Sequence, residues 1–154
     1  MDVREFEPED AEKLSQLIVR NLRQVLIEDY SAKAIEALAP FFTPEKLIKS
    51  SKQQFALVGV LGNDLVGTAA LDGDRVRTVF VEATRHRSGI GSQLMAALEA
   101  YARQHRVRRL YLMSGISACG FYEKLGYKIV KRFERDLNGV PIPVIQMEKV
   151  LVRD

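Results

Sequence analysis

Apolar and polar residues alternate from Val3 to Phe6, which predicts a short first strand. From Ala11 onward Leu14, Leu17, Ile18, Leu22 and Val25 recur at helical spacing, a stripe interrupted by Asn21. Ser31 is placed to cap a second helix carrying Ile35 and Leu38, which Pro40 should end. Thr43-Pro44-Glu45 then gives a capping hydroxyl, a proline at the first helical position and an acid behind it, so a third helix should run to about Lys49. The period then changes. Phe55 to Leu61, Leu65 to Leu71 and Arg75 to Val81 are β-rich runs separated by Gly62-Asn63-Asp64 and Asp72-Gly73-Asp74, the composition of a three-stranded meander. Ile90, Leu94, Ala97, Leu98 and Tyr101 return to helical spacing, and Leu110 to Met113 reads as a strand. A short helix from about Ser117 to Leu125 should stop at Gly126. Tyr127 to Arg135 and Val144 to Leu151 flank the turn signal Asn138-Gly139, a closing hairpin with Pro141 and Pro143 on the loop side of its second arm.

This order is not doubly wound, because strands and helices do not alternate from the start. It predicts an α+β fold: a mixed, mostly antiparallel sheet, helices on both faces, and one central strand–helix–strand crossover. The crossover makes Arg75 to Val81 and Leu110 to Met113 parallel neighbours. A chain of 154 residues without repeats or a low-complexity linker is expected to be one domain over residues 1–154.

Composition narrows the chemistry. The chain is 47% hydrophobic and 28% charged, and it contains no 18-residue apolar window, so no membrane span is expected. The start, Met1-Asp2-Val3-Arg4-Glu5-Phe6, lacks the apolar stretch of a secretory leader, and a cytoplasmic location is the default expectation. The single cysteine, Cys119, and two histidines offer neither a disulfide nor a cysteine- or histidine-based metal site; Cys119 reads as a small core residue. Net charge is only +3, with acids and bases interleaved. The run Arg103, Arg106, Arg108 and Arg109 is therefore read as surface charge, and no nucleic-acid partner is expected.

The densest chemical signal is Val79-Phe80-Val81-Glu82-Ala83-Thr84-Arg85-His86-Arg87-Ser88-Gly89-Ile90-Gly91-Ser92, a strand running through a cationic, glycine-bearing loop into a helix. Free amides at a helix start, with the dipole behind them, favour an anion, and glycines permit close approach of a phosphate. Two phosphate loops are excluded. Gly91 is followed by Ser92-Gln93 rather than Lys-Ser/Thr, and Leu94 stands where a dinucleotide fingerprint has its third glycine.

His86-Arg87-Ser88-Gly89-Ile90-Gly91 resembles the Gln/Arg-x-x-Gly-x-Gly/Ala signature of the GNAT superfamily of N-acetyltransferases. Ala118-Cys119-Gly120-Phe121-Tyr122-Glu123-Lys124-Leu125-Gly126-Tyr127 resembles its second signature, at the right separation. The helices before the sheet look like a subgroup with a helical amino-terminal excursion over the acceptor site. Two departures stand out: His86 replaces Gln or Arg, and Ala83 replaces the usual proline.

The resemblance implies acetyl-CoA as co-substrate, no metal, and direct acetyl transfer to an amine in a ternary complex. It implies that Phe80 and Val81 offer backbone groups to the pantetheine arm. The amides of Arg87, Ser88, Gly89, Ile90, Gly91 and Ser92 should hold the pyrophosphate, and Tyr122 should protonate the departing thiolate. A phenol of pKa about 10 protonating a thiolate of about 8.5 costs ~2 kcal/mol, so a hydrogen bond or late transfer suffices. On this reading Gly91→Glu abolishes binding with the fold intact, and the His86 ring is dispensable. No carboxylate lies within Arg75 to Val81, which leaves the general base open among Glu82, Asp72, Asp74, Asp29 and a water relay. A small-molecule amine is the expected acceptor. A protein or peptide amine, a non-catalytic acyl-CoA sensor, a different acyl group and a homodimer stay open.

Overall fold

In a computed structural model describing residues 1–151, seven strands form one sheet in the order β1-β2-β3-β4-β5-β7-β6. They are β1 (Asp2–Glu5), β2 (Phe55–Leu61), β3 (Asp64–Asp72), β4 (Arg75–Val81), β5 (Arg109–Ser114), β6 (Lys128–Leu137) and β7 (Val140–Val150). Residues 152–154 of the expected domain lie outside the described range. Every neighbouring pair is antiparallel except β4 and β5, as the crossover predicts.

Helices α1 (Ala11–Gln24), α2 (Ala32–Leu38) and α3 (Pro44–Ser51) form one layer. Ser31 Oγ accepts from Ala34 N at 3.1 Å and Thr43 Oγ1 from Lys46 N at 3.3 Å, so both predicted caps are in place. The α1 stripe of Leu14, Leu17, Ile18 and Leu22 packs with Ile35, Leu47 and Val58. On the other face, α4 (Ile90–Gln104) and α5 (Cys119–Lys124) cover the sheet. There Leu94, Met95 and Leu98 are fully buried in one cluster with Leu110, Leu112 and Met147. Cys119 is buried in that cluster as a free thiol, the core role its isolation predicted.

α2 stops at Leu38, two residues before Pro40, which lies in a 3-10 turn over Ala39–Phe42. One expectation is corrected. The prolines of the last hairpin lie inside β7, with Pro141 opposite Asp136 and Pro143 opposite Glu134. β5 ends at Ser114 opposite Ile145, so among the described residues no strand pairs with that side of β7 from Val144 back to the turn. Residues two apart turn their amides to the same side, and both missing N–H groups fall on this open edge. The turn is the predicted two-residue one, with Asn138 at φ 51° and Gly139 at φ 85°.

Candidate active site

The parallel pair β4 and β5 is registered only at Arg75↔Tyr111, with Tyr111 N donating to Asp74 O at 3.0 Å. Beyond it the strands part. Part of the cause is local: β4 bulges against β3, so that Thr78 and Val79 together oppose Ala69, and Thr78 adopts φ 55°. A left-handed β-branched residue costs on the order of 1–3 kcal/mol, and no sequence rule predicts one at a threonine. Bulges re-aim backbone groups.

Register decides which groups face the gap. Glu82 N donates to Val66 O at 2.9 Å, so Glu82, and with it Phe80, turns its amide and carbonyl toward β3. Val81, between them, turns its own toward the gap. Phe80 therefore departs from the expectation: its backbone faces Thr68, and its ring meets Phe42 edge-on at 5.6 Å in the helical layer.

The Val81 carbonyl is already engaged. Asn21 Nδ2 donates to it, and His86 Nε2 lies 3.0 Å away. Neither partner was expected, although Asn21, a polar residue interrupting an apolar stripe, was the available signal. Asn21 is 4% exposed. Asn21→Ala should cost about 1 kcal/mol in urea unfolding, because one buried hydrogen bond is lost while His86 still serves the Val81 carbonyl. The His86 ring likewise has a structural bond, which glutamine is long enough to reproduce.

The loop enters α4 through two left-handed residues, Arg87 at φ 66° and Gly89 at φ 84°. Gly89 caps the helix, and Gln93 N donates to Gly89 O at 3.0 Å. The amides of Ile90, Gly91 and Ser92 precede that first helical bond, have no partner in the ladder, and can bind an anion. Ser88 Oγ donates to the Arg85 carbonyl and pins the loop. The two glycines do different work. A Cβ at Gly89 would meet open space, so only its φ demands glycine. A Cβ at Gly91 would lie 3.0 Å from Phe121 Cζ and 3.3 Å from Cε1. Gly91 is thus a contact between α4 and α5, and a glutamate there would disturb packing as well as charge. Gly91→Ala opposes crowding against Phe121 to a helix-propensity gain of up to about 1 kcal/mol. Adding Phe121→Leu should make the alanine more favourable, a coupling read from a double-mutant cycle.

Tyr122 is buried on α5, edge-on to Phe121 at 5.1 Å and to Tyr127 at 5.9 Å. Burial pushes its phenol well above the ordinary tyrosine value. Tyr127 is raised too, by burial first and then by Glu99, whose Oε2 accepts its hydroxyl proton at 3.0 Å. Lys149 Nζ donates to the other Glu99 oxygen at 2.8 Å. Unfolded phenols ionise near pH 10 while these two keep their protons. Stability contributed by them is complete below about pH 10 and falls as pH rises further, since the unfolded chain then holds fewer protons. Urea midpoints between pH 8 and pH 11 should fall along that limb, and Tyr127→Phe should flatten it.

The carboxylates open as base lie in three separate places. Glu82 is held by Arg20 at 2.8 Å. Asp72 pairs with Arg77 at 3.5 Å, and both Asp72 and Asp74 sit at the end of β4 opposite the α4 loop. Asp29 accepts from Ser117 N at 3.0 Å and from Ser117 Oγ, tying the segment before α2 to the loop before α5. Among the described residues no cluster of potential metal ligands occurs. No described helix is long and apolar enough to cross a membrane.

The chain as a whole matches known proteins. The family profile described as acetyltransferase (GNAT) domain covers residues 26–151. The chain belongs to the GNAT acetyltransferases. A GCN5-related N-acetyltransferase from Rhodopseudomonas palustris is 27% identical, superposes with a TM-score of 0.91, and is matched over 97% of this chain and 94% of its own. PaiA N-acetyltransferase from Thermoplasma acidophilum, solved with coenzyme A, is 20% identical with a TM-score of 0.78, over 97% and 98% of the two chains. An aminoglycoside 6'-N-acetyltransferase complexed with coenzyme A is 23% identical with a TM-score of 0.72, over 100% and 99%. No curated protein matches the sequence. This GNAT protein is an acetyl-CoA-dependent N-acetyltransferase with the expected α+β architecture.

Proposed function

We propose that the enzyme transfers an acetyl group from acetyl-CoA directly to the amine of a small molecule. The observation that carries this reading is the gap between β4 and β5, with the free α4 amides at its mouth and Tyr122 on α5, in the buried cluster that includes Ile90. In it the amides from Arg87 to Ser92 hold the pyrophosphate, with the exposed Arg87 adding charge, and the Val81 amide meets the pantetheine arm. The acceptor nitrogen attacks the thioester carbonyl carbon, the C–S bond breaks, and the nitrogen's proton leaves through water. Tyr122 Oη donates a hydrogen bond to the sulfur as negative charge builds there. The acceptor is read as small because α1 and α2 lie over one sheet face and the Asp29–Ser117 tie fixes that layer to the α5 loop.

Release of free CoA with a panel of small amines and one of peptides tests the reading. Turnover confined to small amines is expected. Turnover confined to peptides would replace the acceptor class. Tight CoA binding without release on any acceptor would replace catalysis by sensing.

A further inference from the structure

On the sheet face opposite α4, the foot of the gap carries more positive charge than its neighbours answer. Val76 faces the α4 cluster, so Arg75 and Arg77 on either side of it project toward the α1–α2 layer. Tyr111, between the buried Leu110 and Leu112, projects to the same face, and the Arg75 guanidinium lies 6.0 Å from its ring centroid. Arg75 Nε is buried with no hydrogen-bond partner, the one such side-chain atom among the described residues. A buried guanidinium N–H without an acceptor is costly unless a ligand supplies one.

The neighbouring charges do not supply it. Asp72, the nearby acid, is drawn to Arg77 at 3.5 Å. Glu148, two strands away, is beside Arg109 at 3.9 Å. Burial lowers the Arg75 pKa, repulsion from Arg77 and Arg135 adds to this, and Tyr111 and Asp72 oppose it.

We propose that Arg75, aided by Arg77, binds an anionic oxygen group carried by the acceptor amine itself. The inference rests on the acetyl-transfer reading and specifies its substrate class. Arg75 marks the foot of the gap, and the bulge at Thr78 is three residues along, roughly 10 Å of strand. An acceptor anchored by its anion at Arg75 extends its amine toward the bulge. A planar fork of donors suits carboxylate and phosphate alike, and the same charges disfavour a polycationic acceptor such as an aminoglycoside.

Matched acceptors test this with the intact protein and acetyl-CoA. Lysine against cadaverine differs by one carboxylate, phosphoethanolamine against ethanolamine by one phosphate, and kanamycin supplies the polycation. The expected result is a kcat/KM at least tenfold higher for one anionic member over its matched amine, with kanamycin poorest. Which pair shows the larger preference identifies carboxylate or phosphate. In Arg75→Gln that preference should collapse toward one through KM, and Arg75→Lys should retain part of it. Equal use of matched amines, a preference for cadaverine or kanamycin, or a preference unchanged in Arg75→Gln would overturn the proposal. The wild-type panel decides even where a variant does not fold. Turnover without charge preference sinks this inference and leaves acetyl transfer standing. Absence of turnover sinks acetyl transfer; calorimetry of lysine and phosphoethanolamine on the CoA-loaded protein, against their matched amines, then tests the anion site by itself.

Discussion

Tyr122→Phe should lower the turnover rate on the order of 10²-fold while leaving acetyl-CoA affinity unchanged. The change removes one oxygen and keeps the ring that packs edge-on against Phe121 and Tyr127, so stability should move by about 1 kcal/mol at most. Burial raises the proton affinity of this phenol. Full transfer to a thiolate is therefore more uphill than the ~2 kcal/mol separating pKa values of about 8.5 and 10. Tyr122 is better suited to donate a strong hydrogen bond than to ionise. Its loss should accordingly appear in kcat, without a new alkaline limb in the pH profile. Single-turnover kinetics at saturating acetyl-CoA measures this. An unchanged chemical step would return Tyr122 to the core as a packing residue only.

Ser92→Glu should weaken CoA binding roughly 30- to 100-fold and leave the fold as stable as before. Ser92 is exposed and is the third residue of α4, where a carboxylate complements the helix dipole and is worth up to about 1 kcal/mol. The same carboxylate would stand within about 5 Å of a phosphate held by the α4 amides. At an effective dielectric of 20 to 40 that repulsion is about 2–3 kcal/mol. Gly91 cannot serve for this test, because Phe121 occupies the space its side chain would need. Calorimetric titration with CoA, paired with a thermal melt, separates the two effects. Undiminished affinity would show that the pyrophosphate does not lie at this helix start.

Local rules carried most of the architecture. The spacing of Leu14, Leu17, Ile18 and Leu22, the caps at Ser31 and Thr43 and the Asn138-Gly139 turn depend on residues within a few positions of one another. The strand Arg75 to Val81 and the α4 stripe were legible for the same reason, and with them the crossover that makes β4 and β5 parallel. The glycine loop and the motif around Tyr122 were legible as chemistry, because a helix start needs no distant partner to offer its amides.

What depended on distant partners was not legible. The insertion of β7 between β5 and β6 is a pairing choice, and the strand residues on each side would fit either order. The positions of Pro141 and Pro143 followed from it, since only the early end of β5 leaves them an open edge. The left-handed Thr78 is imposed by the register of β4 against β3, against the residue's own preference. Asn21 showed in the sequence as a break in an apolar stripe. Its partner, the Val81 carbonyl, lies 60 residues away, and only the packing of α1 onto β4 joins them. The surroundings of Arg75 have the same origin. It looks like surface charge in its own strand, and the return of the chain as β5 sets Tyr111 beside it, its Nε buried. Sequence determined the elements and the local chemistry, and tertiary contact decided which groups share a site, because the energy of a buried partner is set by where the chain returns.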